Sequence, residues 1–461
     1  MAKVLVLGGG ESGRGVALLA QAKGYEVFVS DAGRLSASAK TELDAAGIAY
    51  EDGGHSDGVL DGVDLIVKSP GIPCKAPLVA SAKTSGIRVI GEMEFCAPYK
   101  QGRIVGITGS NGKTTTTKLV GHLLEAAGID VVVGGNIGTS YARLLLEPPR
   151  EVYVLELSSF QLEDIVEFYV DIGMVLNLSP DHLDRYDGSF AKYAAAKYRL
   201  KDTMRPADGR RGAKGIWLQA SDPVSQEHAT AWMGDFSMVN MPAEFEAGKA
   251  FSPWGDVSLT STELHGAHNA ANATFALFAA EGAIAKTRGA EAVRAARPVL
   301  AKALTTFVNA PHRLETVGYV DGVRYVNDSK ATNLDAVVKA VGSFGDAPLV
   351  LILGGTDKGN DYAILDEALE GVPLRAIVAM GEDNKKIVVH YRDRGIKLHD
   401  THSLADALAK CAMEAEAGDV VLLSPACASF DLFDNYIDRG NRFRAAVKAM
   451  PGFSETLPKP T

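Results

Sequence analysis

The sequence predicts an α/β protein of three consecutive blocks, each built on a parallel sheet. Three observations lead there. Strand-like and helix-like patterns alternate along all 461 residues, as in chains of βαβ units. Several strand candidates are continuous apolar runs rather than alternating ones, which fits strands covered by helices on both faces. Glycine-rich turns stand directly after strands, where helix N-termini gather phosphate oxygens.

The first block runs from Met1 to about Ala97, with strands at 4–7, 26–30 and 65–68. The segment 97–103 reads as a linker. The second block starts at a phosphate-type loop and ends near residue 310. Its strands are 104–108, 153–157 and 172–177, and a helical pattern covers 118–127. Residues 205–215, polar and glycine-rich, read as a surface loop, and 252–262 as a small antiparallel element. The third block opens at Pro311-His-Arg313 and carries strands at 324–327, 349–353, 376–380 and 420–423.

Apolar content of 46% and charged content of 23% are those of an ordinary globular chain with ample core. A net charge of -10 argues against nucleic acid or an acidic membrane as a bulk partner. The four cysteines, Cys74, Cys96, Cys411 and Cys427, show no metal or redox spacing. They read as reduced core residues of a cytosolic protein. The N-terminus enters a strand without the apolar stretch of a signal peptide. No run approaches the ~18 apolar residues of a membrane-spanning helix.

Gly8-Gly-Gly-Glu-Ser-Gly13 matches G-x-G-x-x-G after a strand, with Asp31 ending the next strand. NAD binding, tight strand–helix packing, and a seat for another nucleotide's diphosphate all fit this pattern. Thr108-Gly-Ser-Asn-Gly-Lys-Thr-Thr115 is the stronger nucleotide signal. Ile107 stands where the strict phosphate loop has its first glycine, yet Gly109 and Gly112 supply flexibility. Lys113 is suited to bridge β- and γ-phosphates, and Thr114 to ligate Mg²⁺. Glu156 ends an apolar strand and can meet that metal, or else cap the next helix.

Asp181, His182 and Asp184 follow another strand, as an active-site or an ordinary surface loop would. Lys197, in a small-residue helix, either faces solvent or points inward to a metal. Asn269 and Asn272 share one helix face. In the third block, Asn327-Asp-Ser-Lys330, Gly354-Gly-Thr-Asp-Lys358 and Ser424-Pro-Ala-Cys-Ala-Ser429 recur after strands. Together they suggest a crevice for anions or carboxylates.

In this order, over nearly the whole chain, the motifs resemble the Mur ligase family, the ATP-dependent amide-bond ligases of peptidoglycan precursor synthesis. Leu155-Glu-Leu-Ser-Ser-Phe-Gln-Leu-Glu163, Pro180-Asp-His-Leu-Asp-Arg-Tyr186 and Ser424-Pro-Ala-Cys-Ala-Ser-Phe-Asp431 resemble its D-glutamate-adding branch. The resemblance implies a Rossmann-like N-terminal domain at 1–97 that holds UDP rather than NAD. It implies a P-loop ATPase domain with a parallel sheet at 98–310, and a Rossmann-like amino-acid-binding domain at 311–461.

It further implies UDP-substrate contacts at Glu11, Ser12, Asp31, Ser69, Asn136 and His182. Glu11 and Ala32 depart from the family's usual residues. ATP contacts are implied at Gly109, Ser110, Asn111, Gly112, Lys113, Thr114, Thr115, Asn136, Asn269, Asn272, Arg313 and Asp328. Two Mg²⁺ ions are implied on Thr114, Glu156, His182 and a carbamylated Lys197. Lys113, Glu156, His182 and Lys197 carry the catalytic roles.

D-glutamate falls to Lys330, Thr332, Lys358, Ser429 and Tyr436, the last where Phe is frequent. The implied reaction joins D-glutamate to UDP-N-acetylmuramoyl-L-alanine through an acyl phosphate, in a cytoplasmic monomer whose last domain closes on ATP. Three other readings explain less. A ligase for another amino acid, or a folylpolyglutamate-type synthetase, conflicts with the Ser158-Ser-Phe-Gln161 and Ala-Cys-Ala-Ser429 segments. A NAD oxidoreductase leaves Gly112-Lys-Thr unexplained. A P-loop switch leaves the third block's lysines unexplained.

Overall fold

The structure, a computed structural model, describes residues 1–203, 215–218, 237–240, 245–264, 266–309, 311–357 and 359–456. The region predicted as a surface loop at 205–215 lies almost wholly outside them. The chain divides into two compact units. One comprises 1–245, 249–262 and 270–307, the other 246–248, 263–269 and 308 onward.

The first unit holds two parallel sheets. The N-terminal sheet contains β1 (Lys3–Leu7), β2 (Glu26–Asp31), β3 (Ala49–Asp52), β4 (Leu65–Lys68) and β5 (Arg88–Gly91), in the order β3-β2-β1-β4-β5. The order reverses at β1 and β4, and the crevice outside the strand ends at such a reversal is where ligands bind. The helix Glu11–Ala22 starts there, straight after Gly8–Gly10.

The second sheet contains β6 (Arg103–Thr108), β7 (Val131–Gly135), β8 (Val152–Glu156), β9 (Ile172–Val175), β10 (Gly215–Leu218) and β11 (Ser237–Asn240). Its order is β11-β10-β9-β6-β8-β7, all parallel. Ile107 pairs with Glu156, and Thr108 with Val175, so the ends of β8 and β9 flank the glycine-rich loop that follows β6. One apolar cluster joins both sheets of this unit, from Val6 and Val16 to Tyr141, Tyr153 and Phe168. A small antiparallel pair, β12 (Lys249–Ala250) with β13 (Val257–Ser258), lies slightly N-terminal of the predicted element.

The second unit contains β14 (Glu315–Val320), β15 (Val323–Asn327), β16 (Leu349–Gly354), β17 (Leu374–Met380), β18 (Leu398–Thr401), β19 (Val420–Ala426) and β20 (Phe453–Ser454). Their order is β18-β17-β16-β19-β15-β14-β20; five strands run parallel and β14 and β20 add antiparallel pairings. Along β16, Leu351 and Leu353 enter one core cluster while Val350 and Ile352 enter another. Both faces are therefore buried, which is why this strand reads as an unbroken apolar run.

The helix predicted at 118–127 is Lys113–Ala126, so the whole threonine run is helical and Lys113 is its first residue. The cysteine expectation needs correction at one site: Cys96, Cys411 and Cys427 are buried, but Cys74 is exposed. Among the described residues, no helix is long and apolar enough to cross a membrane.

Candidate active site

In the first unit, β6 delivers the chain into a tight turn at Gly109–Gly112. Gly112 has φ +82°, and a Cβ there would lie 2.3 Å from Asn272 Oδ1. Only glycine fits both constraints. The turn is fastened from the loop after β9. Asn111 N–H donates to Asn177 Oδ1 at 2.9 Å, and Asn177 Nδ2 donates back to Asn111 O at 3.0 Å. Ser110 Oγ donates to Ser179 O at 2.9 Å and lies 3.0 Å from Tyr193 OH. The loop backbone is thus held in place beforehand, which favours charge stabilisation by the N–H groups at the start of the following helix. Lys113 Nζ donates to Gly109 O and Ser110 O, both at 2.8 Å. Thr115 is buried, and Thr116 Oγ1 donates to Asn272 Oδ1 at 3.2 Å.

Glu156, at the end of β8, is buried. Its two oxygens accept from Thr114 Oγ1 at 2.7 Å and from Asn136 Nδ2 at 3.0 Å. Ser158, not Glu156, caps the following helix. A hydroxyl beside an oriented carboxylate is a hard-oxygen pair that suits Mg²⁺ when phosphate supplies further oxygens. Among the described residues, no group of three or more His, Cys, Asp or Glu could hold a metal without such help.

Lys197 points inward and is 2% exposed. Its Nζ donates to Gly109 O at 2.8 Å and lies 4.8 Å from the Tyr193 ring centre. Burial holds this amine well below the usual lysine range; the charge of Lys113 adds to the effect, while Asp181 and Glu156 oppose it. His182 is half exposed at φ 51°, with its ring 5.2 Å from Phe160 and its Nε2 3.7 Å from Asp181.

At the first glycine cluster, Asp31 accepts from Gly9 N–H at 2.6 Å and from Gly33 N–H at 2.8 Å. Ser69 Oγ donates to Gly8 O at 3.3 Å. Ser12 hydrogen-bonds Glu92, a fully buried carboxyl that burial pushes up. Glu11 pairs with Arg143. Arg185 donates to Gly71 O at 3.0 Å and Ile72 O at 3.3 Å, stacks on Phe160 and pairs with Glu163, clamping the loop after β4.

In the second unit, Asp328 follows β15. It accepts from Ser424 Oγ at 2.9 Å and from Leu314 N–H at 3.2 Å. Burial pushes its carboxyl up to about 7, against the lowering effects of Ser424, Leu314 and Arg313. Arg313 lies between two left-handed residues, His312 and Leu314. Lys330 Nζ sits 3.9 Å from the ring centre of Tyr436. Ser429 is buried, Thr332 is half-buried, and Asn269 is buried at the start of the helix Ala267–Ala303. Lys358 lies outside the described residues. Arg439 is 1% exposed. It donates to Ser329 Oγ and O at 3.0 and 2.9 Å, to Cys427 O at 3.1 Å and to Gly354 O at 3.5 Å. One guanidinium therefore joins the ends of β15, β16 and β19, and burial lowers its pKa to about 10.

The raised Asp328 carboxyl sets a pH test. Between the ordinary carboxylate range, about 4, and about 7, the folded chain binds this proton and the unfolded chain does not. The associated stability is complete at low pH and is lost as pH rises through about 7. Urea midpoints should fall between about pH 5 and about pH 8 in the wild type, and fall less in Asp328→Asn. Equal falls in the two proteins would contradict this.

Residues 2–91 match the N-terminal domain described as Mur ligase MurD-like, 107–280 the Mur ligase middle domain, and 312–427 the Mur ligase glutamate ligase domain. The chain is 42% identical to a UDP-N-acetylmuramoylalanine–D-glutamate ligase of Cytophaga hutchinsonii, over 98% of this chain and 99% of that one. It is 41% identical to the ligase of the same name from Porphyromonas gingivalis, over 96% and 98%. The chain belongs to the Mur ligase family.

The fold agrees with solved Mur ligases. The UDP-N-acetylmuramate–alanine ligase of Thermotoga maritima superimposes with a TM-score of 0.59 at 18% identity, covering 97% of this chain and 100% of that one. Membership implies ATP use and a three-domain α/β architecture. The sequence singles out Gly109–Thr115, Asn136, Glu156, Lys197 and Asn272, which the structure brings together. The sequence reading missed Asn177 and Tyr193, which fasten the loop. Tyr193 stands four residues before Lys197 on one helix, a spacing that puts two side chains on one face. It also missed Arg143, Arg185 and Arg439, because an arginine in a helix or loop ordinarily reads as solvated.

Proposed function

We propose that this chain ligates D-glutamate to UDP-N-acetylmuramoyl-L-alanine at the expense of ATP, in the cytoplasm and as a monomer. The observation that carries the reading is its near-full-length identity to ligases of that name. The geometry supports the chemistry. The loop N–H groups and Lys113 would receive the β- and γ-phosphates. Thr114 and Glu156 would hold one Mg²⁺; His182 and a carbamate on Lys197 would hold a second. Bound there, the metal neutralises charge between the approaching anions. The domain limits 1–97, 98–310 and 311–461 belong to the same reading.

A carboxylate acylates poorly until it is activated. The substrate carboxylate attacks the γ-phosphorus of ATP, the bond to the β-phosphate oxygen breaks, and an acyl phosphate and ADP result. Lys113 offsets the crowding of negative charge in that step. The neutral amine of D-glutamate then attacks the acyl carbon, phosphate leaves, and the amine gives up a proton. Ser12, Asp31, Ser69, Asn136 and His182 would orient the UDP-substrate, with Glu11 facing its diphosphate through the backbone alone. Asn269, Asn272, Arg313 and Asp328 would complete the ATP site. Lys330 and Lys358 would pair with the carboxylates of D-glutamate, beside Thr332, Ser429 and Tyr436.

Lys197 fits carbamylation on physical grounds. Only a neutral amine adds CO₂, and burial favours that form here. The test of the function is phosphate release from ATP with UDP-N-acetylmuramoyl-L-alanine. D-glutamate should raise it, and L-glutamate, L-lysine or no amino acid should not. Release indifferent to D-glutamate would remove the substrate assignment.

A further inference from the structure

The turn after β1 carries a contradiction in charge. Parallel-sheet order and the helix Glu11–Ala22 make this turn a seat for a diphosphate, because helix N–H groups and the helix dipole favour anions. Glu11, the first residue of that helix, places a carboxylate at the same point. A carboxylate left facing a diphosphate would repel it.

The structure compensates that charge. Arg143 Nε donates to Glu11 Oε1 at 2.8 Å, and its Nη2 donates to Glu11 Oε2 at 3.2 Å. The same guanidinium also grips both oxygens of Glu42. Arg14 pairs with Glu42 and, at 3.4 Å, with Glu11. Two acids and two arginines balance. All four side chains are at most 35% exposed. Ser140 N–H donates to Glu11 Oε1 at 3.2 Å as well. A Cβ on Gly15 would lie 2.2 Å from Ser140 Oγ, so the helix bearing Glu11 runs hard against the start of the helix Tyr141–Leu144.

We propose that Arg143 is a positioning residue for the UDP-substrate: it neutralises Glu11 and turns it aside, so that the loop after β1 accepts a nucleoside diphosphate. The inference rests on the reading of that loop as the UDP seat. Arg143 reaches Glu11 from the segment that also bears Asn136, whose side chain holds Glu156. One stretch of chain therefore fastens the diphosphate loop and the carboxylate of the ATP site.

The test is steady-state kinetics with UDP-N-acetylmuramoyl-L-alanine varied at saturating ATP and D-glutamate. Arg143→Ala should raise KM for the UDP-substrate about tenfold while kcat stays within about twofold. Adding Glu11→Gln to that variant should bring KM back to within about twofold of wild type, because the offending charge is gone. A tie that serves only to hold helices together would not be rescued by removing its second half. An unchanged KM in Arg143→Ala, or a double variant as impaired as the single one, overturns the proposal. Should Arg143→Ala fail to fold, Arg143→Gln with and without Glu11→Gln carries the same comparison. Absence of turnover in the wild type would instead refute the substrate reading, so the two failures are distinguishable.

Discussion

Lys197→Ala is expected to lower ligase turnover about a hundredfold or more, and added acetate or another short carboxylate is expected to restore part of it. The reason lies in the environment of the amine. It is buried, donates to Gly109 O, and shares its neighbourhood with Lys113. A neutral amine in that position is a nucleophile for CO₂, and a carbamate formed there would bring two oxygens to a metal that an amine cannot serve as well. Alanine leaves a gap that a small carboxylate can enter. Lys197→Arg, which stays cationic, should be inactive and not rescued. Wild-type activity in the alanine variant would end the carbamate assignment.

Glu156→Gln is expected to lower ATP-dependent turnover about a thousandfold and to raise the Mg²⁺ concentration needed for half-maximal activity. Both carboxylate oxygens accept hydrogen bonds, from Thr114 and Asn136. The amide keeps the volume but loses the charge, and its NH₂ must face one of those two donors. Folding should survive, since the shape is retained; equal urea midpoints for the two proteins would show it. Activity within about tenfold of wild type, at unchanged Mg²⁺ dependence, would show that this carboxylate does not hold the metal.

Much of the fold was legible because buried parallel strands announce themselves. The strand candidates from 4–7 to 420–423 all correspond to strands, with ends shifted by up to three residues. Among the strands that escaped notice, 49–52, 88–91, 131–135 and 398–401 lie at sheet edges, while 215–218 and 315–320 lie inside their sheets. An edge strand has a partly exposed flank, so β3 and β18 mix charged with apolar residues and lose the continuous apolar signal. At the site, the glycine-rich turn and the strand-end Glu156 were readable because backbone donors and lone carboxylates leave local patterns. Arg143 and Arg439 were not. Their partners are 132 and 110 positions away in the chain for Glu11 and Ser329, and nothing local marks a cation whose counterparts are assembled by the fold.

The carbonyl of Gly109 receives both Lys113 and Lys197. The charge on Lys113 also helps to keep its neighbour unprotonated. The two lysines are therefore not independent in a genetic sense. Removing Lys113 would take away its proposed phosphate contact and at the same time make Lys197 more basic and slower to take up CO₂. A variant at position 113 thus reports the sum of two losses, and combining it with a change at 197 should cost less than the product of the single effects.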